Sequence, residues 1–243
     1  MTALDLYRNG ELKEAIKVLG EELRSHPLDA KRRTFLFELL CFAGNFDRAE
    51  KQLDVLADSS TQAAAGALMY RSALHAERTR QDLFAKRTYP EAISSGESQA
   101  GTWNGENFSS LHDADPRIGA NLEVFIAGSY TWIPMKYMEN LEIEKPEGLR
   151  DLIWARARVQ TSSAFRLQDL GEVLLPVLSP FSFQQADEVV QLGRSSVWEI
   201  SNTGVETPFG QKLMWIDGEE IPLLEIRSID WNSNAEDLTD APA

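Results

Sequence analysis

Between Glu11 and Arg24 the apolar residues Leu12, Ala15, Ile16, Leu19 and Leu23 recur at the spacing that lines one face of a helix. Pro27 follows the last turn, where it can end a helix but not continue one. Asp29 is placed to cap a second helix with the stripe Phe35, Leu36, Leu39, Leu40 and Ala43. Gly44-Asn45 supplies a turn, and Phe46, Ala49, Leu53 and Leu56 begin a third stripe. A longer helical segment, rich in Ala and Arg, runs from about Thr61 to Lys86. The pattern therefore predicts a helical unit over residues 1–90.

The stripes repeat. Gly10 aligns with Gly44, Leu12 with Phe46, Ala15 with Ala49 and Leu19 with Leu53, each at an offset of 34 residues, the tetratricopeptide period. Small residues at these positions let the two helices of a hairpin approach closely. Pro27 fills the motif's proline position in the first repeat, whereas Thr61 stands there in the second. Such arrays are docking surfaces, so the match speaks to architecture and not to a reaction. Two repeats are fewer than the roughly three usually needed to bury a continuous core. The 61–86 helix is expected to close one end, with the second domain covering more.

Residues 91–117 change texture, with Ser, Gly and Asn dominating and no visible period, and are read as a linker. Trp103 and Phe108 are out of place in a free tether and are expected to pin it onto a neighbour. From residue 118 to 231 short alternating segments predict strands. NLEVFIAGSYTWIP reads as a hairpin around a Gly-Ser turn, and WIDGEEIPLL as a hairpin at Asp217-Gly218. One helix is placed within PFSFQQADEVVQLG. Residues 232–243 form an acidic, polar tail expected to be disordered. The fold class is α+β: N-terminal tetratricopeptide-like helical repeats followed by a mostly antiparallel β-rich C-terminal domain.

Charge sharpens this division. Of the net −14, residues 1–90 contribute +1, with 14 Lys+Arg against 13 Asp+Glu; the remainder carries 10 against 25, or −15. Nucleic acid is a poor partner for such a chain. No apolar run is long enough to span a membrane and no signal peptide is visible, so a cytoplasmic protein is expected. The lone Cys41 sits in FLFELLCFAG and reads as an inert core thiol.

The three histidines, His26, His75 and His112, are not paired at a metal-ligand spacing, and neither catalytic nor cofactor motifs are present, so no cofactor is expected. In HDADPR, Asp113 and Asp115 offer two carboxylates for a hard cation, but the further oxygen ligands of a calcium loop are missing. Aspartates capping backbone N–H groups in a turn explain the segment better. Arg117, Arg150, Arg156, Arg158, Arg194 and Arg227 lie near apolar strands, either as a ligand-binding cluster or, more commonly, as ion-pair partners of nearby glutamates. Trp132, Trp154, Trp198, Trp215 and Trp231 read as core residues.

The ordered segments HPLDAKRRTFLFELLCFAGNFDRAEKQLDVL, WNGENFSSLHDADPRIGANLEVFIAGSYTWIP, LIWARARV, GEVLLPVLSPFS and IPLLEIRSIDW make the chain resemble the ImpE/TagJ (SciE-type) family of type VI secretion accessory proteins. That resemblance implies a non-enzymatic adaptor. Its partners would be the N-terminal segment of the small contractile-sheath subunit and, in some systems, the AAA+ unfoldase that recycles sheath. In a tetratricopeptide array the inner helices face the ligand, which nominates Tyr7, Arg8, Lys31, Thr34, Glu38 and Phe42, unless the β domain fills the groove or is itself the docking surface. A competing reading is an enzyme or small-ligand binder with its site in the acidic β-rich domain. It requires a deep pocket where Arg156, Arg158 or Arg227 meets a carboxylate.

Overall fold

A computed structural model of the protein describes residues 1–58, 61–90, 99–165, 170–200 and 204–231. The first part of the expected linker, 91–98, and the acidic tail, 232–243, lie outside these residues. Helix α1 (Ala3–Arg8) opens with a capping box, in which Thr2 and Asp5 each accept the other's backbone N–H. Helices α2 (Leu12–Ser25), α3 (Ala30–Phe42), α4 (Phe46–Ala57) and α5 (Thr61–Lys86) follow the predicted stripes. Asp29 caps α3 by accepting the Arg32 N–H at 3.0 Å.

The 34-residue echo is visible in the backbone. Gly10 and Gly44 sit in the left-handed region, at φ 86° and 66°, where a side chain would be strained. The next residue of each turn donates back five positions, Glu11 to Leu6 and Asn45 to Leu40, both at 2.9 Å. The same helix-ending motif thus closes α1 and α3. Both glycines also touch the second half of the chain. A Cβ at Gly10 would lie 3.1 Å from Val189, and one at Gly44 would overlap the Phe183 ring.

The β-rich part begins earlier than its composition suggests. Strands β1 (Gly101–Trp103), β2 (Glu106–Phe108) and β3 (Leu111–Asp113) lie within the segment read as linker. Each is three residues long, too short to display a period of two. Their anchors are the expected aromatics: Phe108 is buried edge-on against Trp231, and Trp103 packs on the same core. Then come β4 (Asn121–Ile126), β5 (Ser129–Pro134), β6 (Met138–Ile143), β7 (Trp154–Thr161) and β8 (Gly171–Pro176). The chain continues with a one-turn helix α6 (Glu188–Gln191), β9 (Ser196–Ile200), β10 (Glu206–Gly210), β11 (Leu213–Ile216), β12 (Glu219–Pro222) and β13 (Ser228–Asp230).

An eight-stranded antiparallel sheet runs β2-β1-β13-β6-β7-β8-β4-β5, beside a β10-β9 ribbon and a β12-β11-β3 sheet. The β4–β5 hairpin pairs Ile126 with Ser129, so its turn is Ala127-Gly128 and not Gly-Ser. Both turn residues have positive φ, as a two-residue hairpin loop requires. Asp217-Gly218 forms the β11–β12 turn as expected.

One hydrophobic core lies within the sheets, but the other spans both halves. Leu12, Leu19, Phe37, Phe42, Leu53 and Leu74 of the helices share it with Ile118, Phe125, Trp132, Ile153, Trp154 and Leu192. The β unit therefore supplies the surface that two repeats lack.

Set into this interface is a cluster of buried charges. Arg80 of α5 is almost fully buried and makes a bidentate pair with Glu123 of β4, at 2.8 and 2.9 Å. Arg80 also reaches Glu77 at 3.2 Å, and Glu77 accepts the Trp154 indole N–H at 3.0 Å. Tyr130 donates to Glu123 at 2.6 Å and accepts from Trp132. Lys212 closes the cluster, 2.6 Å from Glu123 and bonded to Asp113. Three carboxylates thus face two cations. Burial pushes Asp113 up to about 7 despite Lys212. Burial also opposes ionisation of Glu123, but Arg80 and Lys212 outweigh it and hold that carboxyl well below the usual range.

Removing one member of such a pair strands the other without water. Glu123→Gln should therefore lower unfolding free energy by about 3–5 kcal/mol in a denaturant titration. Gly44→Ala, which combines positive φ with overlap on Phe183, should cost about 1–3 kcal/mol in the same assay.

Candidate functional site

The inner face nominated by the repeat pattern is largely spoken for. Tyr7 packs edge-on against Phe35, with ring centroids 5.9 Å apart, and lies beneath the Arg194 guanidinium at 4.5 Å. The same Arg194 donates to the backbone carbonyls of Tyr7 and Arg8, at 2.7 and 2.9 Å. Phe42 has no exposed surface and belongs to the shared core, so it is unavailable to a partner in this conformation. Glu38 is half-buried near Arg150 and Asp151, in the 3₁₀ turn Leu149–Leu152 that packs on α3. Thr34 donates to the Ala30 carbonyl at 3.0 Å, while Arg8 and Lys31 are exposed. The β unit fills the groove that an open array would present.

The candidate chemistry of the β unit resolves into structural pairs. Asp113 accepts the Asp115 N–H at 2.9 Å and Asp115 accepts the Arg117 N–H at 3.0 Å, the capping role expected of a turn. Their remaining oxygens are taken by Lys212 and by Arg117, the latter at 2.5 Å. Arg150 pairs with Asp151 at 2.6 Å, and Arg156 with Glu144 and Glu147, both at 3.1 Å. Arg158 lies 3.6 Å from Glu172, and Arg227 donates to the Leu224 and Ile226 carbonyls. Among the described residues no group of His, Cys, Asp and Glu has a metal-binding arrangement. Cys41 is buried, with its thiol held well above its ordinary value by burial.

Three sizeable cavities lie among the described residues, including one of about 450 Å³ lined by Leu152, Leu192, Arg194, Ser196, Gln211 and Leu224. A second, of about 270 Å³, lies where α5 meets β4, β7 and β8, and is lined by Tyr70, Phe125, Trp154 and Leu174 with Arg156 and Glu172 at its rim. It brings Arg156 near the Glu172 carboxylate, although Arg156 is already engaged by Glu144 and Glu147.

A third cavity, about 590 Å³, is a cleft between α2 and the α3–α4 turn. Lys13, Lys17, Arg24 and Arg48 surround a floor of Ile16, Gly20 and Phe183, with Glu21 its one acidic lining residue. Phe183 is held in place by Phe46 and Phe181, at centroid distances of 5.8 and 6.3 Å. Glu188 of α6 fixes the cleft's upper corner, accepting the Lys13 backbone N–H at 2.9 Å and pairing with its ammonium at 3.4 Å. It thereby supplies the N-terminal cap that Glu11 does not. Gly20 is internal to α2, and a Cβ there would meet nothing within 4 Å. A helix-interior glycine costs about 1 kcal/mol relative to alanine, and no local packing accounts for this one. These basic positions lie on the polar face of α2 and on α4, where a sequence pattern reads only solvated charge; the cleft exists because Phe183, far along the chain, walls it.

Glu38 yields a pH test. Burial pushes its carboxyl up from 4.5 to about 7, an effect that Arg150 partly offsets. Between those values the folded state binds the proton more tightly than the unfolded chain does, so this residue's contribution to stability falls as pH rises through the window. Glu38→Gln should remove that slope and raise the melting temperature above pH 7, measured by calorimetry against the wild type across the same pH range.

The chain is similar to known proteins over both its helical and its β-rich parts. The family model described as ImpE protein matches residues 105–230, most of the β unit. The type VI secretion system accessory component TagJ of Pseudomonas aeruginosa is 30% identical over 264 aligned positions, covering 95% of this chain and 91% of that one. An X-ray crystal structure of a Vibrio parahaemolyticus protein superposes with a TM-score of 0.81 at 22% identity, covering 94% of this chain and 96% of the other, which supports the whole two-part fold. With the family model spanning more than half the chain and the Pseudomonas relative matching both parts, this chain belongs to the ImpE family.

Proposed function

We propose that this chain is an accessory component of a bacterial type VI secretion system and works as a non-enzymatic adaptor in the cytoplasm. Its partner is the small contractile-sheath subunit, engaged through that subunit's N-terminal segment, with the AAA+ sheath-recycling unfoldase as a second contact in the same assembly. The observation that carries this reading is the 30% identity along 95% of the chain to a protein described as a type VI secretion accessory component. Similarity over both the repeats and the β unit favours a shared role over a shared domain. A helical array with a preformed cleft and a rigid second unit suits peptide docking. Among the described residues no helix is long and apolar enough to cross a membrane.

Affinity capture of the tagged full chain from cells expressing the secretion cluster tests the reading. The small sheath subunit should be recovered, and deletion of that subunit's N-terminal segment should abolish recovery. Recovery of neither sheath nor unfoldase would sink the proposal. Arg8 and Lys31 are the nominated inner-face residues that stay exposed. If they contribute, Arg8→Ala/Lys31→Ala should weaken the sheath-segment complex in calorimetry; unchanged affinity removes that face from the binding surface.

A further inference from the structure

The 590 Å³ cleft beside α2 combines three features not repeated together elsewhere among the described residues. Its lining carries four basic residues against one acidic, on a chain of net −14; Lys13 and Lys17 are paired with Glu188 and Glu14 beside the cleft, which leaves the positive charge with Arg24 and Arg48. Arg24 and Arg48 project there without an ion pair or hydrogen bond from their guanidinium groups to any described residue, whereas Arg32, Arg71 and Arg78 of the neighbouring helices are each paired with carboxylates. Gly20 leaves an open stretch of helix backbone between these cations, with Ile16 and the fixed Phe183 ring beside it.

We propose that this cleft is the docking site for an acidic segment of a partner protein. Carboxylates of the segment pair with Arg24 and Arg48, and an apolar side chain seats over Gly20 against Ile16 and Phe183. This rests on the adaptor reading and assigns it a surface. The volume falls within the range of about 300–1,000 Å³ that small binding sites occupy, enough for a few side chains and not for a folded domain. A long polyanion is disfavoured because the adjoining β unit and its flanking segments carry a net −15. A short acidic peptide meets the local positive field without that penalty.

Gly20 makes the test selective. The space above it is empty, so Gly20→Met introduces a good helix former without a clash while filling the cleft. Binding of a short fluorescein-labelled peptide of interspersed Glu and Leu to the full chain is followed by anisotropy, with a Lys/Leu peptide as control. The wild type should bind the acidic peptide and not the basic one, with affinity falling as salt rises. Arg24→Glu/Arg48→Glu should weaken binding by about tenfold or more. Gly20→Met should weaken it comparably without lowering the melting temperature, a combination that a merely structural role for Gly20 would not produce. Failure of the acidic peptide to bind, or equal binding to the wild type and both variants, overturns the proposal. The same variants are measured with the purified small sheath subunit. Undiminished sheath binding to both overturns the cleft as its site and leaves the adaptor reading standing. Loss of sheath binding by both supports the assignment, and only a wild type that fails to bind sheath counts against the adaptor itself.

Discussion

The bidentate pair between Arg80 and Glu123 joins α5 to β4 with both side chains almost fully buried, and the rest of the architecture is arranged so that neither charge is left alone. A buried guanidinium or carboxylate is expensive unless its whole hydrogen-bonding capacity is met. Here the partners come from distant parts of the chain: Glu77 and Arg80 from α5, Asp113 from β3, Glu123 from β4, and Lys212 just before β11. Rotating α5 by a fraction of a turn, or shifting β4 by one residue, would separate them. The cluster therefore acts as a register device between the helical and β units, with the apolar core around Phe37, Leu74, Phe125 and Trp154 supplying the burial that makes it strict.

This fixed junction explains why the helical unit does not behave as a free tetratricopeptide array. With two repeats and a long closing helix, the inner face would expose Phe42 and other apolar residues. The β unit takes that face as its own packing surface, through Trp154 on Phe37 and Arg194 over Tyr7. The groove used for recognition in longer arrays is thus spent on internal cohesion. The cleft beside α2 stays open, with one wall from the repeats and one from Phe183 and Gln191 of the β unit. Such a composite site exists only when both units are docked, so the junction that stabilises the fold also preorganises the surface.

The electrostatic pattern follows the same logic. Several arginines of the β unit are neutralised locally by carboxylates, as in Arg117–Asp115, Arg150–Asp151 and Arg156–Glu144. Its excess negative charge is a general property of the surface that discourages anionic partners. Against that background the unpaired Arg24 and Arg48 form a local exception beside the near-neutral helical unit.

The local structure was largely legible in the sequence. The stripes of α2 to α4, the turns at Gly44 and Asp217-Gly218, the Asp29 cap and the 61–86 helix all depend on short-range spacing and backbone preference, which amino-acid order encodes directly. Strands β1 to β3 escaped notice because three residues are too few for a period, and only pairing with β13 and β11 holds them extended. No sequence pattern singles out Arg80, Glu77 or Lys212, because their burial is decided by partners up to 99 residues away. For the same reason the repeat pattern left open whether the β unit fills the inner-face groove, and it is tertiary packing that buries Phe42 and sets Arg194 over Tyr7. Sequence alone determined the elements and, through the ordered segments of the β unit, the family. Tertiary structure decided which charges are buried, which face of the repeats is consumed, and where a cleft remains, because each depends on desolvation and contact between segments that no local pattern records.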